Sequence, residues 1–216
     1  LHVWTEHMGR FVLPECPGRA VLFGDLMTVD ECREFLRRHR DNLFVQGKEK
    51  HPDHQWRPKT LREGYSFRYD AYRFCRKVFA IRAAARAIKS GFLFWIDGDV
   101  ETKAHVPLSF LRDLLGRDTP ICYLGRRGYH SECGFVGYNL DHPETRPFID
   151  AFADLYASDE FMKIKEWHDS FVFDILRERR NIRGRDLLGR HALAMDPFPS
   201  SVLGQYFVHH ACRRVV

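Results

Sequence analysis

Phe92-Leu93-Phe94-Trp95-Ile96-Asp97-Gly98-Asp99 sets an unbroken apolar run directly against two carboxylates. The run reads as a central strand, and a strand that ends in two acids presents both at the carboxyl edge of its sheet. A carboxylate pair separated by one small residue suits a hard divalent cation such as Mg2+ or Mn2+. Such a cation takes oxygen ligands and commonly shares its coordination sphere with substrate phosphates. Gly98 adds no bulk beside the ligands. Asp-x-Asp alone also fits turn chemistry or a helix N-cap; its place after a strand singles this one out.

Upstream, Phe67, Ala71, Phe74, Val78, Ile81, Ala85 and Ile88 recur at alternating spacings of four and three. That pattern predicts a helix with one apolar stripe on the sheet, and with Arg73, Arg76, Lys77, Arg82 and Arg86 off it. Lys89 and Gly91 close this helix, so helix, strand and acidic pair form one αβ unit. The preceding stretch, about 41–66, is polar and without period, broken by Gly47, Pro52, Pro58 and Gly64, as in a lid or disordered loop. His51 and His54 within it are read as loop histidines with no metal role. Thr28 and Glu31 suggest a capping box for a helix that turns Cys32, Phe35 and Leu36 inward and ends near Arg40. His2-Val3-Trp4-Thr5 reads as an early strand before a loop containing Pro14, Pro17 and Gly18.

Downstream, Leu108, Leu111, Leu114 and Leu115 suggest a short helix and Ile121–Leu124 a strand. In the strand-like run Ser131–Leu140, Gly134 and Gly137 imply close backbone approach to something. A helix from about Glu144 to Tyr156 presents Phe148, Phe152 and Leu155. Another follows Trp167-His168-Asp169-Ser170, with Phe171, Ile175 and Leu176 inward.

The 216 residues, 44% hydrophobic and 14% aromatic, are enough for one sizeable core and a single domain. A net charge of +5 suits a phosphorylated or acidic ligand without demanding nucleic acid. The six cysteines (Cys16, Cys32, Cys75, Cys122, Cys133, Cys212) include no C-x-x-C pair and read as reduced and mostly buried. No stretch has the length of a membrane span, and Leu1-His2-Val3-Trp4 does not read as a secretory leader, so the expected compartment is cytoplasmic.

Four pieces stand in order: Asp97-Gly98-Asp99, Ser131–Leu140, Trp167-His168-Asp169-Ser170 and Tyr206-Phe207-Val208-His209-His210. In this order and spacing they resemble the nucleotide-sugar glycosyltransferases of the GT-A fold, most closely the glycogenin-like and lipopolysaccharide-galactosyltransferase-like group called family 8. The resemblance covers roughly residues 67 to 214. It implies an α/β, GT-A-like (Rossmann-like) single domain with a mixed, mostly parallel central sheet flanked by helices. The implied activity is transfer of a hexose from a nucleotide-diphosphate donor, a UDP-sugar, to a saccharide or other hydroxyl acceptor, with retention of configuration.

By the same resemblance Asp97, Asp99 and His209 hold Mn2+ (or Mg2+) on the diphosphate. Adjacent histidines on an extended segment point opposite ways, so His210 is a fallback ligand only. Glu132 and Gly134 would line the donor pocket. Asp169 would be the catalytic carboxylate with Glu132 second, and Trp167-His168 a sugar-stacking wall; Asp169 as a plain helix cap is the alternative. Arg68, Asp70, Arg73 and Lys77 match positions that touch the donor's phosphates and sugar, with a solvated helix face as the alternative. Asp97 and Gly98 would also contact the donor. A carboxylate near the reacting carbon would stabilise an oxocarbenium-like state, or act as general base if the reaction inverts.

The chain departs from the family at Cys212, where a glycine is expected, with Arg213 and Arg214 still able to pair with phosphate. It also opens on what reads as the family's second strand, so either the first strand is missing from this sequence or a shortened version does its job. Two other readings are open. One is a phosphohydrolase using the first aspartate as nucleophile, although Val100-Glu101 stands where Gly-Thr would follow. The other is a non-catalytic carbohydrate- or nucleic-acid-binding module using Trp56, Tyr65, Tyr129 and nearby arginines.

Overall fold

The computed structural model describes residues 2–5, 22–49, 64–188 and 196–210. The chain divides into two compact units, Leu1–Ala87 with Phe152–Asp169 and Ile88–Ala151 with Ser170–Val216.

In the first unit β1 (His2–Thr5) pairs in parallel with β2 (Leu22–Asp25), a strand absent from the sequence reading. Gly24 in the middle of β2 weakens its strand signal. Asp25 accepts the N–H of Met27 and so caps a short turn, Leu26–Thr28, that leads into α1 (Asp30–Arg38). The expected capping box does not form. Val29 precedes the helix without a side-chain cap, and the Thr28 hydroxyl donates to Asp25 O instead. Glu31 is drawn to the guanidinium groups of Arg82 and Arg86.

Helix α2 (Ala71–Ala87) starts later than its apolar stripe predicts, because Asp70 Oδ1 accepts the N–H of Arg73 at 2.9 Å and begins the helix there. Phe67 lies in a separate turn, Phe67–Tyr69, and Ile88 lies past the end. Burial spreads beyond one stripe, over Cys75, Val78, Phe79, Ala80, Ile81, Arg82, Ala84 and Ala85. Arg82 is therefore not on a solvated face: its Nη1 and Nη2 each reach a carboxylate, Asp154 and Glu31, at 2.5 Å. Phe35 of α1, Phe79, Tyr156, Phe161 and Trp167 form an aromatic core, all below 2% exposure. His51, His54 and Trp56 lie outside the described residues; the described flanks of their loop are joined where Ser66 N–H donates to Gly47 O at 2.7 Å.

The second unit contains β3 (Phe92–Ile96), β4 (Val100–Thr102), α3 (Leu108–Leu115), β5 (Ile121–Leu124) and β6 (Glu132–Asn139). Helix α4 (Thr145–Ala157), which belongs to the first unit from Phe152 on, and α5 (Asp169–Arg179), in the second unit after Asp169, follow, then β7 (Arg185–Asp186) and β8 (Phe207–His209). Four strands make one sheet in the order β3-β6-β5-β7, while β4 and β8 pair separately. The protein is α/β with a mixed sheet flanked by helices, but the sheet is mostly antiparallel: β5 with β7 is its one parallel pair. The reason is the short Gly125–Ser131 connection, which returns β6 antiparallel beside β5. Consequently β6 rather than β3 runs through the buried middle, and β3 lies at the edge of the described sheet with half-buried side chains and an exposed Ile96.

Alternation along β5 sends Cys122 and Leu124 to a core shared with Leu114, Leu115 and Phe135. Tyr123 points to the opposite face, against Phe173 of α5, which in turn meets Phe148 of α4 edge-on. Cys32, Cys75, Cys122 and Cys133 are buried and in no disulfide, as expected; Cys16 and Cys212 lie outside the described residues. Among the described residues no helix is long and apolar enough to cross a membrane.

Candidate functional site

At the end of β3 the backbone turns sharply: Asp97 N–H donates to Gly134 O and Val100 N–H returns to Asp97 O. The indole of Trp95 donates to Asp97 Oδ1 at 2.5 Å and so orients the first carboxylate. Gly98 and Asp99 are exposed, and a Cβ at Gly98 would meet nothing within 4 Å.

The turn feeds directly into β4, whose antiparallel ladder with β8 sets Val100 opposite His209 and Glu101 opposite Val208. Side chains alternate along β8, so His209 and His210 diverge. His209 lies on the ring of Phe198, with Nε2 3.6 Å from Asp99 Oδ1 and Nδ1 3.7 Å from Asp196 Oδ1. His210 faces the other way, Nε2 2.8 Å from Glu101 Oε2. The His209 side chain is 7% exposed, and its Nδ1 is buried without a hydrogen-bond partner.

Gly134 borders the same imidazole and lies beside Glu132. The register between β5 and β6 breaks between Tyr123 and Leu124, so that Leu124 pairs with Glu132 and residues 133–135 bulge from β5. A Cβ on Gly134 would lie 3.4 Å from Glu132 Oε1 and 3.6 Å from His209 Nε2. Glu132 is held by the N–H of Gly134 at 3.1 Å and by Arg126 at 3.0 Å.

Comparison with protein-family models and with curated proteins finds no match to this chain. Two carboxylates and one imidazole, its Nε2 turned toward Asp99, are a donor set for a hard or borderline divalent cation. Among the described residues the three do not each offer an atom within 4.8 Å of the other two. Asp99 is half exposed, which leaves its rotamer free to adjust.

The remaining sequence-nominated residues belong to the first unit. Lys77 Nζ donates to Asp169 Oδ2 at 2.5 Å, with the side chains 12% and 5% exposed. Asp169 is the first residue of α5. Arg68 pairs with Glu166 at 2.5 Å, and His168 Nε2 lies 3.1 Å from the other oxygen of Glu166. Asp70 accepts the Tyr65 hydroxyl and the Arg73 N–H. Burial outweighs these bonds and holds the Asp70 carboxyl above its ordinary range, while burial first and then Asp70 push Tyr65 up to about 12. Arg73 is exposed and lies against the Phe74 ring. Trp167 is wholly buried, edge-on to Tyr69 and Phe161, so it is core and not a sugar-stacking wall; its apolar bulk found more to bury inside the unit.

Sequence reasoning missed β4, Asp196, Arg126 and Phe198. Val100-Glu101-Thr102 carries a strand's alternation over only three residues, too few to stand out.

Proposed function

We propose that the chain is a metal-dependent glycosyltransferase of the GT-A type, taking a nucleotide-diphosphate sugar, a UDP-sugar, as donor and a saccharide or other hydroxyl as acceptor with retention. The observation that carries this reading is the β4–β8 ladder, which brings His209 beside Asp99 at the turn bearing both acids. Asp97, Asp99 and His209 are the residues that would hold Mn2+ or Mg2+. A cation there supplies Lewis-acid neutralisation of the diphosphate as it leaves.

The chain's own residues do the rest. Trp95 and the Gly134 carbonyl fix Asp97, so one ligand is oriented before any substrate arrives. Gly134, with no side chain, leaves space between Glu132 and His209 for a sugar or phosphate oxygen. Of the two carboxylates nominated to stabilise developing positive charge, Glu132 is aimed by Arg126 and a backbone N–H. Asp169, the other, is paired with Lys77 in the first unit as Glu132 is with Arg126 in the second.

The test is Asp99→Ala with His210→Ala as control. Mn2+ affinity by calorimetry and Mn2+-dependent turnover of UDP-sugars should both fall at least about tenfold in Asp99→Ala and stay unchanged in His210→Ala. Undiminished Mn2+-dependent turnover in Asp99→Ala would sink the assignment.

A further inference from the structure

On the β5–β7 side of the second unit a cavity of about 420 Å³ opens among Tyr123, Arg127, Tyr129, Asp174, Arg177 and Asp186. None of these side chains serves the cation site, and the volume falls in the range of roughly 300–1,000 Å³ usual for small-ligand pockets. Three features define what would fit it.

The first is an unmet need. The Arg177 guanidinium lies over the Tyr123 ring at 4.7 Å, its Nε is buried with no acceptor, and its nearest carboxylate, Asp174, is 3.7 Å from Nη2. Nε itself is covered, so a ligand oxygen would meet the guanidinium at Nη2, which stands beyond hydrogen-bond length from Asp174. The second is charge. Asp174, Glu178 and Asp186 line the cavity alongside Arg126, Arg127 and Arg177, and Arg126 is already paired with Glu132. Asp174 already accepts from Ser131, and Asp186 from the N–H groups of Gly125 and Leu188, so a ligand hydroxyl would use their remaining lone pairs. With Arg126 paired, three carboxylates against two guanidiniums disfavour an anionic ligand. The third is shape. Tyr129 is 62% exposed and presents a bare aromatic face at the cavity's rim. Apolar ring faces beside fork-shaped donors and paired acceptors match a pyranose, which is apolar on its faces and hydroxylated at its edge.

We infer that this cavity binds a neutral saccharide, with Arg177 donating to a sugar oxygen, Asp174 and Asp186 accepting from hydroxyls, and Tyr129 covering the ring. As a saccharide site it stands without any metal; that the saccharide is the glycosyl acceptor rests on the function proposed above.

Saturation-transfer NMR on the full chain, in the absence of metal, tests it with lactose, maltose and cellobiose as probes, and inorganic phosphate, which has no carbon-bound protons, is followed in parallel by broadening of its 31P signal. At least one disaccharide should bind. Tyr129→Ala should weaken that binding about two- to tenfold, the value of an aromatic contact, and Arg177→Gln should weaken it further. Tyr129 is exposed, so its variant remains informative if Arg177→Gln fails to fold. Asp99→Ala should bind the disaccharide as well as the parent chain does, which separates this site from the cation site: loss of transfer with retained disaccharide binding supports both. Binding of phosphate in preference to every disaccharide, no disaccharide binding, or disaccharide binding unaffected by Tyr129→Ala overturns the inference.

Discussion

Gly137→Ala should destabilise the second unit while Gly134→Ala, three residues away on the same strand, should not. A Cβ on Gly137 would come within 2.6 Å of Cys122 Sγ and 2.7 Å of the Phe94 ring, well inside the 3.4 Å at which ordinary contact begins. Strand β6 cannot retreat, because Gly137 is paired with Phe94 on one side and Cys122 on the other. Cys122 is wholly buried, so the strain falls on packed side chains. Overpacking of this kind costs about 1–3 kcal/mol, and with two neighbours resisting the upper half of that range is expected. At about 2–4 °C per kcal/mol for a chain of this size, the melting temperature should drop by about 5–10 °C. A Cβ on Gly134 meets its nearest atoms at 3.4–3.6 Å, which is ordinary contact, so its cost should stay within about 0.5 kcal/mol. Urea unfolding of both variants decides the matter, and removing Sγ with Cys122→Ala in the Gly137→Ala background should recover part of the loss. Equal destabilisation by the two alanines, or a Gly137→Ala variant as stable as the parent, would refute the packing argument.

Two other perturbations have definite outcomes. Lys77→Met removes the cation bound to buried Asp169, and should cost about 3 kcal/mol by thermal or urea unfolding; a loss below about 0.5 kcal/mol would show that the pair does not hold the first unit together. Asp174 is pushed up by burial but pulled down further by hydrogen bonds from His130 and Ser131 and by Arg177, leaving it below its ordinary 3.8. A carboxyl depressed in the folded state stabilises the fold above 3.8 and loses that contribution as pH falls through its lower folded value. Asp174→Asn should therefore lower the urea midpoint at neutral pH, with the gap to the parent closing as pH drops below 3.8; a gap that does not change with pH contradicts the assignment.

The parts of the molecule legible in the sequence were those with long or strict patterns. The run Phe92–Ile96, the leucines of α3 and the helical spacing through α2 each mark an element found in the structure. What periodicity could not supply was pairing. An apolar run reads the same at the centre of a parallel sheet and at the edge of an antiparallel one, and only the short β5–β6 connection distinguishes them. Side-chain competition was equally invisible: Glu31 left the cap suggested by Thr28 because a buried guanidinium offered more. At the candidate site Asp97, Asp99, Gly134 and His209 could be nominated from motif order, whereas Asp196 and Arg126 could not, since their relevance comes from a bulge and a three-residue ladder.

That ladder also has a consequence in time. Glu101 and His210 are 109 residues apart in sequence, so at roughly 5–20 residues per second of synthesis the acidic turn leaves the ribosome roughly 5–20 seconds before its histidine. Closing so distant a contact is entropically expensive, and three residue pairs repay little of that expense. The clasp between β4 and β8 is thus expected to close late in folding and to open early in the native state. Any ligand that bridges Asp99 and His209 would be felt first as slower hydrogen exchange at the amides of Lys103 and His210, which bond across it.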